Sequence, residues 1–278
     1  MRVLLLGSTG FIGSFLNGGL ERAGHTVFKT RVDVRNIEHL RTAVKDVGPE
    51  VVINATGITG KPNVDWCDSN PVETMGVNVT GSLNVASICS DTNTYMVQLA
   101  SGCIYDGFKQ GGYTEEDPPN YFGSLYSRSR FLSEMALKDF PNVLHLRIRI
   151  PLLGRPHPKN LIDKMLLYSK MINRVNSCTV IEDFVPATIK LIGMRATGLF
   201  NMTNPGDACH AEIMYRYSSI VDSSFRMNFM CRDEEVALCA RRSNCTLNTN
   251  KRESLGVRMR PLHEALEEVM MQYKENAR

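Results

Sequence analysis

Residues 7–13, Gly7-Ser8-Thr9-Gly10-Phe11-Ile12-Gly13, have the types and spacing of a loop that cradles phosphate. Gly7 permits a tight turn, Gly10 lets a pyrophosphate approach the backbone, and Gly13 lets a helix pack closely on a strand. N–H groups at the start of the following helix then meet negative charge. Two other pairs have chemical side chains at telling distances. Tyr126 and Arg130 are four apart, so a helix presents them on one face. Ser101 and Cys103 are two apart at the end of an apolar run, and ligands gather at the C-terminal ends of parallel strands.

The elements that must position these residues follow from periodicity. Short apolar runs at 2–7, 25–30, 50–56, 94–101 and 142–150 are expected strands. Between them, 10–23, 37–47, 72–89 and 124–139 carry helical spacing. This alternation predicts an α/β fold, a Rossmann-type doubly wound parallel sheet. Beyond Pro151 the pattern loosens. Helices are expected around 161–171, 187–194 and 261–273, with a strand at 198–204. The expected division is a nucleotide-binding domain over 1–155, to which 184–204 returns. A smaller mixed C-terminal substrate lobe takes 156–183 and 205–278. The Asn204-Pro205-Gly206 turn leads into that lobe. The Gly-, Pro- and acid-rich stretch 106–123 is expected as a surface loop near a site.

Composition excludes several classes. A net charge of +3 over 278 residues argues against a bulk nucleic-acid binder. No run of 18 apolar residues offers a membrane span, and the opening MRVLLLG is too short for a signal peptide. Eight cysteines without a CxxC pair point to free thiols in a reducing, cytoplasmic setting. The scattered histidines give no metal-ligand spacing.

The second strand's end bears on the choice of cofactor. An acid there would meet a free ribose 2′-hydroxyl, but Lys29 and Arg31 stand there instead. Basic groups suit a 2′-phosphate, which favours NADPH over NADH, although both residues could equally be solvated surface charges. Asp33 either contacts the adenine or caps a turn.

The chain resembles the extended short-chain dehydrogenase/reductases. The resemblance is carried by the glycine loop, Asn54-Ala55-Thr56-Gly57, Asn78, Ser101 and Tyr126. The stretches at 57–86, 99–106 and 123–130 are more specific. Together with LRIRIP (146–151), KNLIDK (159–164), FNMTNPG (200–206) and RSN (242–244), they resemble the 3,5-epimerase/4-reductases of UDP-rhamnose synthesis. That resemblance implies epimerisation of UDP-4-keto-6-deoxyglucose at C3 and C5, then NADPH-dependent reduction at C4. It implies that Asn54, Ala55 and Thr56 line the cofactor. Tyr126 would donate a proton to the carbonyl oxygen while Ser101 hydrogen-bonds it. Cys103 and Lys164 would carry protons off and onto opposite faces of the sugar. Lys61, Asn63, Asn160 and Arg242 would bind the substrate, Arg242 by offering its fork to the diphosphate. The family also implies a separate 4,6-dehydratase as supplier and a homodimer through 76–90 and 124–139.

One residue departs from the pattern. The family motif is Tyr-x-x-x-Lys, and Arg130 stands where lysine is expected. A guanidinium can still hydrogen-bond the ribose and favour tyrosinate, but it cannot pass on a proton. Reprotonation of Tyr126 then falls to water. Two other readings stay open: a dTDP-4-keto-rhamnose-type reductase without epimerase activity, and a non-catalytic NADP-binding regulatory subunit.

Overall fold

The buried strands arise where the chain is apolar without a break. In a computed structural model describing residues 1–277, Val3–Leu6 and Val51–Ile53 are essentially inaccessible to solvent. Strands covered by helices on both faces need such runs rather than alternation. In chain order the elements are β1 (Arg2–Leu6), α1 (Phe11–Arg22), β2 (Thr26–Thr30), α2 (Ile37–Val47), β3 (Val51–Asn54), α3 (Asp65–Ser69), α4 (Pro71–Met75), a π-helical turn (Gly76–Gly81), α5 (Ser82–Asp91), β4 (Tyr95–Ser101) and α6 (Leu125–Leu137). They continue with β5 (Val143–Ile148), β6 (Pro151–Leu152), α7 (Leu161–Leu167), β7 (Val175–Asn176), β8 (Thr179–Val180), α8 (Ile181–Gly193), β9 (Gly198–Asn201), β10 (Ala208–Cys209), α9 (His210–Ile220), α10 (Arg232–Cys239), α11 (Asn250–Ser254) and α12 (Leu262–Asn276).

Two compact units form. The first comprises Met1–Ile104, Pro119–Arg147 and Thr188–Phe200; the second comprises Tyr105–Pro118, Ile148–Ala187 and the chain from Asn201 onward. This division falls at 147/148, not at 155. It also gives the 105–118 segment, which the sequence reading left in the first domain, to the second unit.

The first unit is built on the sheet ordered β2-β1-β3-β4-β5-β9. β1 pairs in parallel with both β2 and β3, and β3 with β4, which is the doubly wound arrangement expected. Leu4 and Leu6 on β1 pack in one core with Leu40 of α2, Val85 and Ile88 of α5, and Leu137 of α6. Each such buried leucine contributes about 2 kcal/mol relative to exposure. Helix α2 shows why its ends were readable. Asn36 accepts from His39 N at 3.1 Å at the start, and Gly48 turns left-handed at the end with φ +53°.

The expected single helix over 72–89 differs in the structure. It begins with Pro71 at the first position of α4, passes through the π-helical turn, and resumes as α5. The extra residue per turn displaces Asn78 from ordinary α-helical phase. Helix α8 runs from Ile181 through Pro186. The helix thus begins six residues before the expected 187 and carries an interior proline, which lacks the N–H that such a position donates.

The second unit has two small sheets, β6 with β8 in parallel and β7 with β10 antiparallel. Its core joins Ile162 and Met165 of α7, Met214 of α9, and Leu266 and Met270 of α12. The 105–118 segment belongs here through backbone pairing. Tyr113 N donates to Thr246 O, and Asn248 N to Tyr113 O, each at 2.8 Å. The Glu115 carboxylate accepts from Asn201 N at 2.8 Å, and its burial raises its pKa.

Candidate active site

The glycine loop is built by local sterics. Gly7 has φ +76°, and Gly10 N closes the turn onto Gly7 O at 2.9 Å. A Cβ at Gly7 would meet the Ala55 carbonyl and Thr56 N at 2.8 Å, while one at Gly13 would land on the Gly7 carbonyl oxygen. Only glycine fits at either position. A Cβ at Gly10 would meet Gly7 O alone, at 3.1 Å, so this residue keeps an open backbone face. Gly10 begins α1, which has no side-chain cap and no acid in its first turn.

Asn54 organises the end of β3. Its amide donates to Gln98 Oε1 at 2.9 Å, and its Oδ1 accepts from Thr56 N at 3.1 Å and Thr56 Oγ1 at 2.5 Å. This fixes the backbone of Ala55 and Thr56 against Gly7. The next residue is Gly57, and a Cβ there would land on the Arg130 guanidinium. Arg130 lies over the Tyr126 ring, its Cζ 5.4 Å from the ring centroid. Contacts therefore run from Gly7 through Thr56 and Gly57 to Arg130 and Tyr126. Both Tyr126 and Arg130 are buried, and Arg130 Nε has no hydrogen-bond partner among the described residues.

The helix carrying Tyr126 is anchored by Asn78, one of the residues that carry the resemblance, and by Asp68, Ser124, Ser127 and Ser129, which the sequence does not single out. At its start, Ser124 Oγ accepts from Ser127 N at 3.2 Å and Asp68 Oδ1 from Leu125 N at 2.8 Å. Deeper, Ser129 Oγ donates to the Tyr126 carbonyl at 2.8 Å and accepts from Asn78 Nδ2 at 3.0 Å. Asn78 Oδ1 in turn accepts from Ile58 N at 2.8 Å. Asn78 thus ties the Tyr126 helix to the loop after β3. The serines at i and i+3 around Leu125 were the available signal for the cap.

The remaining expected residues are placed as follows. Ser101, at the end of β4, is buried and accepts from Cys103 N at 3.2 Å; Cys103 is half-buried and forms no disulfide. Lys61 is exposed, and Asn63 Oδ1 accepts from Asp65 N at 2.9 Å, opening α3. Lys29 pairs with Glu21 at 3.2 Å on the surface, and exposed Arg31 forms no ion pair among the described residues. The Asp33 carboxylate is gripped by Arg35 at 2.6 Å and accepts from Arg35 N at 3.0 Å, which caps the turn after β2. That grip holds its carboxyl below the usual range.

In the second unit Asn160 is fully buried. Its amide accepts from Leu153 N and donates to the carbonyls of Leu153 and Arg155, so the side chain braces the 153–155 backbone. Lys164 is half-buried; burial first, then nearby Lys159, lowers its pKa. Its backbone N donates to Asn160 O at 3.2 Å, while its ammonium forms no hydrogen bond or ion pair among the described residues. Arg242 Nη1 donates to Arg241 O at 2.9 Å.

A bare glycine cradle at a helix start, continuous with a buried guanidinium whose Nε lacks a partner, fits a polar, phosphate-bearing dinucleotide. Fold and site define a Rossmann-type nucleotide-binding protein of the short-chain dehydrogenase/reductase kind. The chain belongs to the RmlD substrate binding domain family, whose model matches residues 1–275. It is 36% identical to a bifunctional dTDP-4-dehydrorhamnose 3,5-epimerase/dTDP-4-dehydrorhamnose reductase of Arabidopsis thaliana, covering 89% of this chain and 85% of that protein. It spans only 39% of the trifunctional dehydratase/epimerase/reductase RHM2 of the same plant. Among solved structures, the L780 UDP-rhamnose synthase of Acanthamoeba polyphaga mimivirus superposes with a TM-score of 0.93 at 31% identity, covering 98% of this chain and 99% of that one. The dTDP-4-dehydrorhamnose reductase of Bacillus anthracis, solved with NADP, shares the fold at a TM-score of 0.83 and 20% identity, over 98% and 99% of the two chains. No helix among the described residues is long and apolar enough to cross a membrane.

Proposed function

We propose that the protein is an NADPH-dependent 4-keto reductase of nucleotide-linked 6-deoxyhexoses that also epimerises the sugar at C3 and C5. Its substrate in this reading is UDP-4-keto-6-deoxyglucose and its product UDP-L-rhamnose. The observation that carries the reductase reading is the continuous run of contacts from the glycine loop to Arg130 and Tyr126. When bound, NADPH supplies the hydride. Gly10 to Gly13 would hold its pyrophosphate, Arg31 would meet the 2′-phosphate, and Thr56 and Arg130 would line the ribose side.

Tyr126 donates its proton to the C4 carbonyl oxygen, and Ser101 hydrogen-bonds that oxygen as charge develops. The tyrosinate left behind is stabilised by Arg130 and regains its proton from water. For epimerisation, each inverted carbon loses a proton from one face and gains one on the other. Cys103, a half-exposed thiol, and Lys164, whose neutral form burial favours, carry those protons. The name of the Arabidopsis relative, which covers a similar length, supports the double activity. A 4,6-dehydratase supplies the ketone.

The test mixes purified protein with NADPH and either UDP- or dTDP-4-keto-6-deoxyglucose, following NADPH absorbance and product stereochemistry. A rhamnose product from the UDP sugar supports the full reading. NADPH binding without oxidation by any of these sugars, or by an already epimerised ketone, refutes it.

A further inference from the structure

The segment 241–244 lies between α10 and α11 without regular structure, yet its backbone is tightly held. At the centre is Arg149, just past β5 and only 1% exposed. Its Nη1 donates to Ser243 Oγ at 2.9 Å and its Nη2 to the Ser243 carbonyl at 2.7 Å, and Nη2 also bonds Asn176 Oδ1. Ser243 Oγ in turn donates a hydrogen bond to Tyr105 O at 2.5 Å. The neighbours complete the brace. Asn244 N donates to Asp106 Oδ1 at 2.7 Å, Gly107 N donates to Asn244 O at 2.9 Å, and Cys245 N donates to Asn176 Oδ1 at 3.1 Å. Asn244 Nδ2 donates back to Arg242 O at 3.1 Å.

We infer that Arg149 is a positioning residue for substrate binding: it fixes the backbone at Ser243 so that Arg242 is presented to the substrate's diphosphate. This rests on the reading of Arg242 as the diphosphate-binding residue. Ser243 and Asn244 are then scaffold, and the cationic contact of the triplet falls to Arg242. The guanidinium is suited to this task. Its rigid fork reaches a hydroxyl, a carbonyl and an amide oxygen at once, where a lysine ammonium offers one nitrogen.

The experiment measures KM and kcat for the nucleotide sugar, UDP affinity by titration, and NADPH affinity. The proteins are wild type, Arg149→Lys, Arg149→Met, Ser243→Ala, Arg242→Ala, and each Arg149 or Ser243 variant combined with Arg242→Ala. Arg149→Met should raise KM and the UDP Kd about tenfold, the size expected for a lost charge-assisted hydrogen bond. kcat and NADPH affinity should stay within about twofold, since the residue acts on binding alone. Arg149→Lys should recover part of the loss, and Ser243→Ala should show a smaller shift in the same direction. In the Arg242→Ala background the Arg149 and Ser243 substitutions should add nothing, because their effect passes through that side chain. Should Arg149→Met fail to fold, Ser243→Ala alone and with Arg242→Ala decides. Additive losses, or a fall in kcat at unchanged KM, overturn the inference. If wild type and Arg242→Ala bind UDP equally, the reading beneath it fails as well; if Arg242→Ala weakens binding while the folded Arg149 and Ser243 variants do not, only the positioning role fails.

Discussion

Replacing Gly57 with alanine tests the slot that seats Arg130. The added methyl would fall on the guanidinium, the movable end of a long side chain, so the arginine swings away while the fold survives. The magnitude follows from the charge pair. With Cζ 5.4 Å from the Tyr126 ring centroid, a guanidinium and a nascent tyrosinate attract by about 3 kcal/mol at an effective dielectric of about 20. Losing all of it, as in Arg130→Gln, should slow reduction about a hundredfold. Partial displacement in Gly57→Ala should slow it about tenfold, with an overpacking cost of about 1–3 kcal/mol. The assay is single-turnover NADPH oxidation on an already epimerised 4-ketone, which isolates reduction. Arg130→Lys in the Gly57→Ala background should recover part of the rate, because an ammonium occupies less space. Full speed in Gly57→Ala and Arg130→Gln would show that the guanidinium plays no part in the reduction step.

Cys103→Ser should abolish solvent deuterium incorporation at C3 and C5 yet leave reduction of the epimerised ketone within a fewfold; equal loss of both would refute the division of labour. Arg31→Glu should weaken NADPH binding about tenfold or more while leaving NADH binding nearly unchanged, as expected for a lost charge-assisted contact to the 2′-phosphate, and competitive titration of the two cofactors checks it. The buried His145 of β5 gives a pH prediction. Burial holds its pKa down to about 4, against an ordinary 6.5, so below pH 6.5 the unfolded chain gains a proton that the folded one resists. Stability from this residue is complete above 6.5 and lost as pH falls towards 4, by about 2 kcal/mol at pH 5. Urea midpoints at pH 7 and pH 5 should converge in His145→Gln relative to wild type, and an unchanged gap would contradict the assignment.

The strand–helix alternation was legible because apolar runs and capping residues are local signals. Asn36 and Gly48 bracket α2, and Gly7 to Gly13 announce the β1–α1 turn. The π-helical turn at 76–81 was not legible, because no residue there breaks helical spacing, and Asn78 owes its place to bonds with Ile58 and Ser129, distant in sequence. The allegiance of 105–118 depends on pairing with 246–248, again a long-range matter. At the site, residue types identified Tyr126, Arg130 and Ser101 as chemical groups. They did not show that the Asn160 amide is engaged by the 153–155 backbone, since an asparagine in a loop has the same appearance whether it faces a ligand or its own chain.

The clearance at Gly57 makes the history of this loop directional. A lysine at position 130 would put no guanidinium against residue 57, whereas with arginine there any side chain at 57 displaces the guanidinium. The exchange of lysine for arginine is therefore open only to a chain whose loop is already bare, and enlarging residue 57 afterwards bars the arginine from its seat. Natural variants should accordingly contain three of the four combinations of large or small at 57 with lysine or arginine at 130, the fourth being selected against.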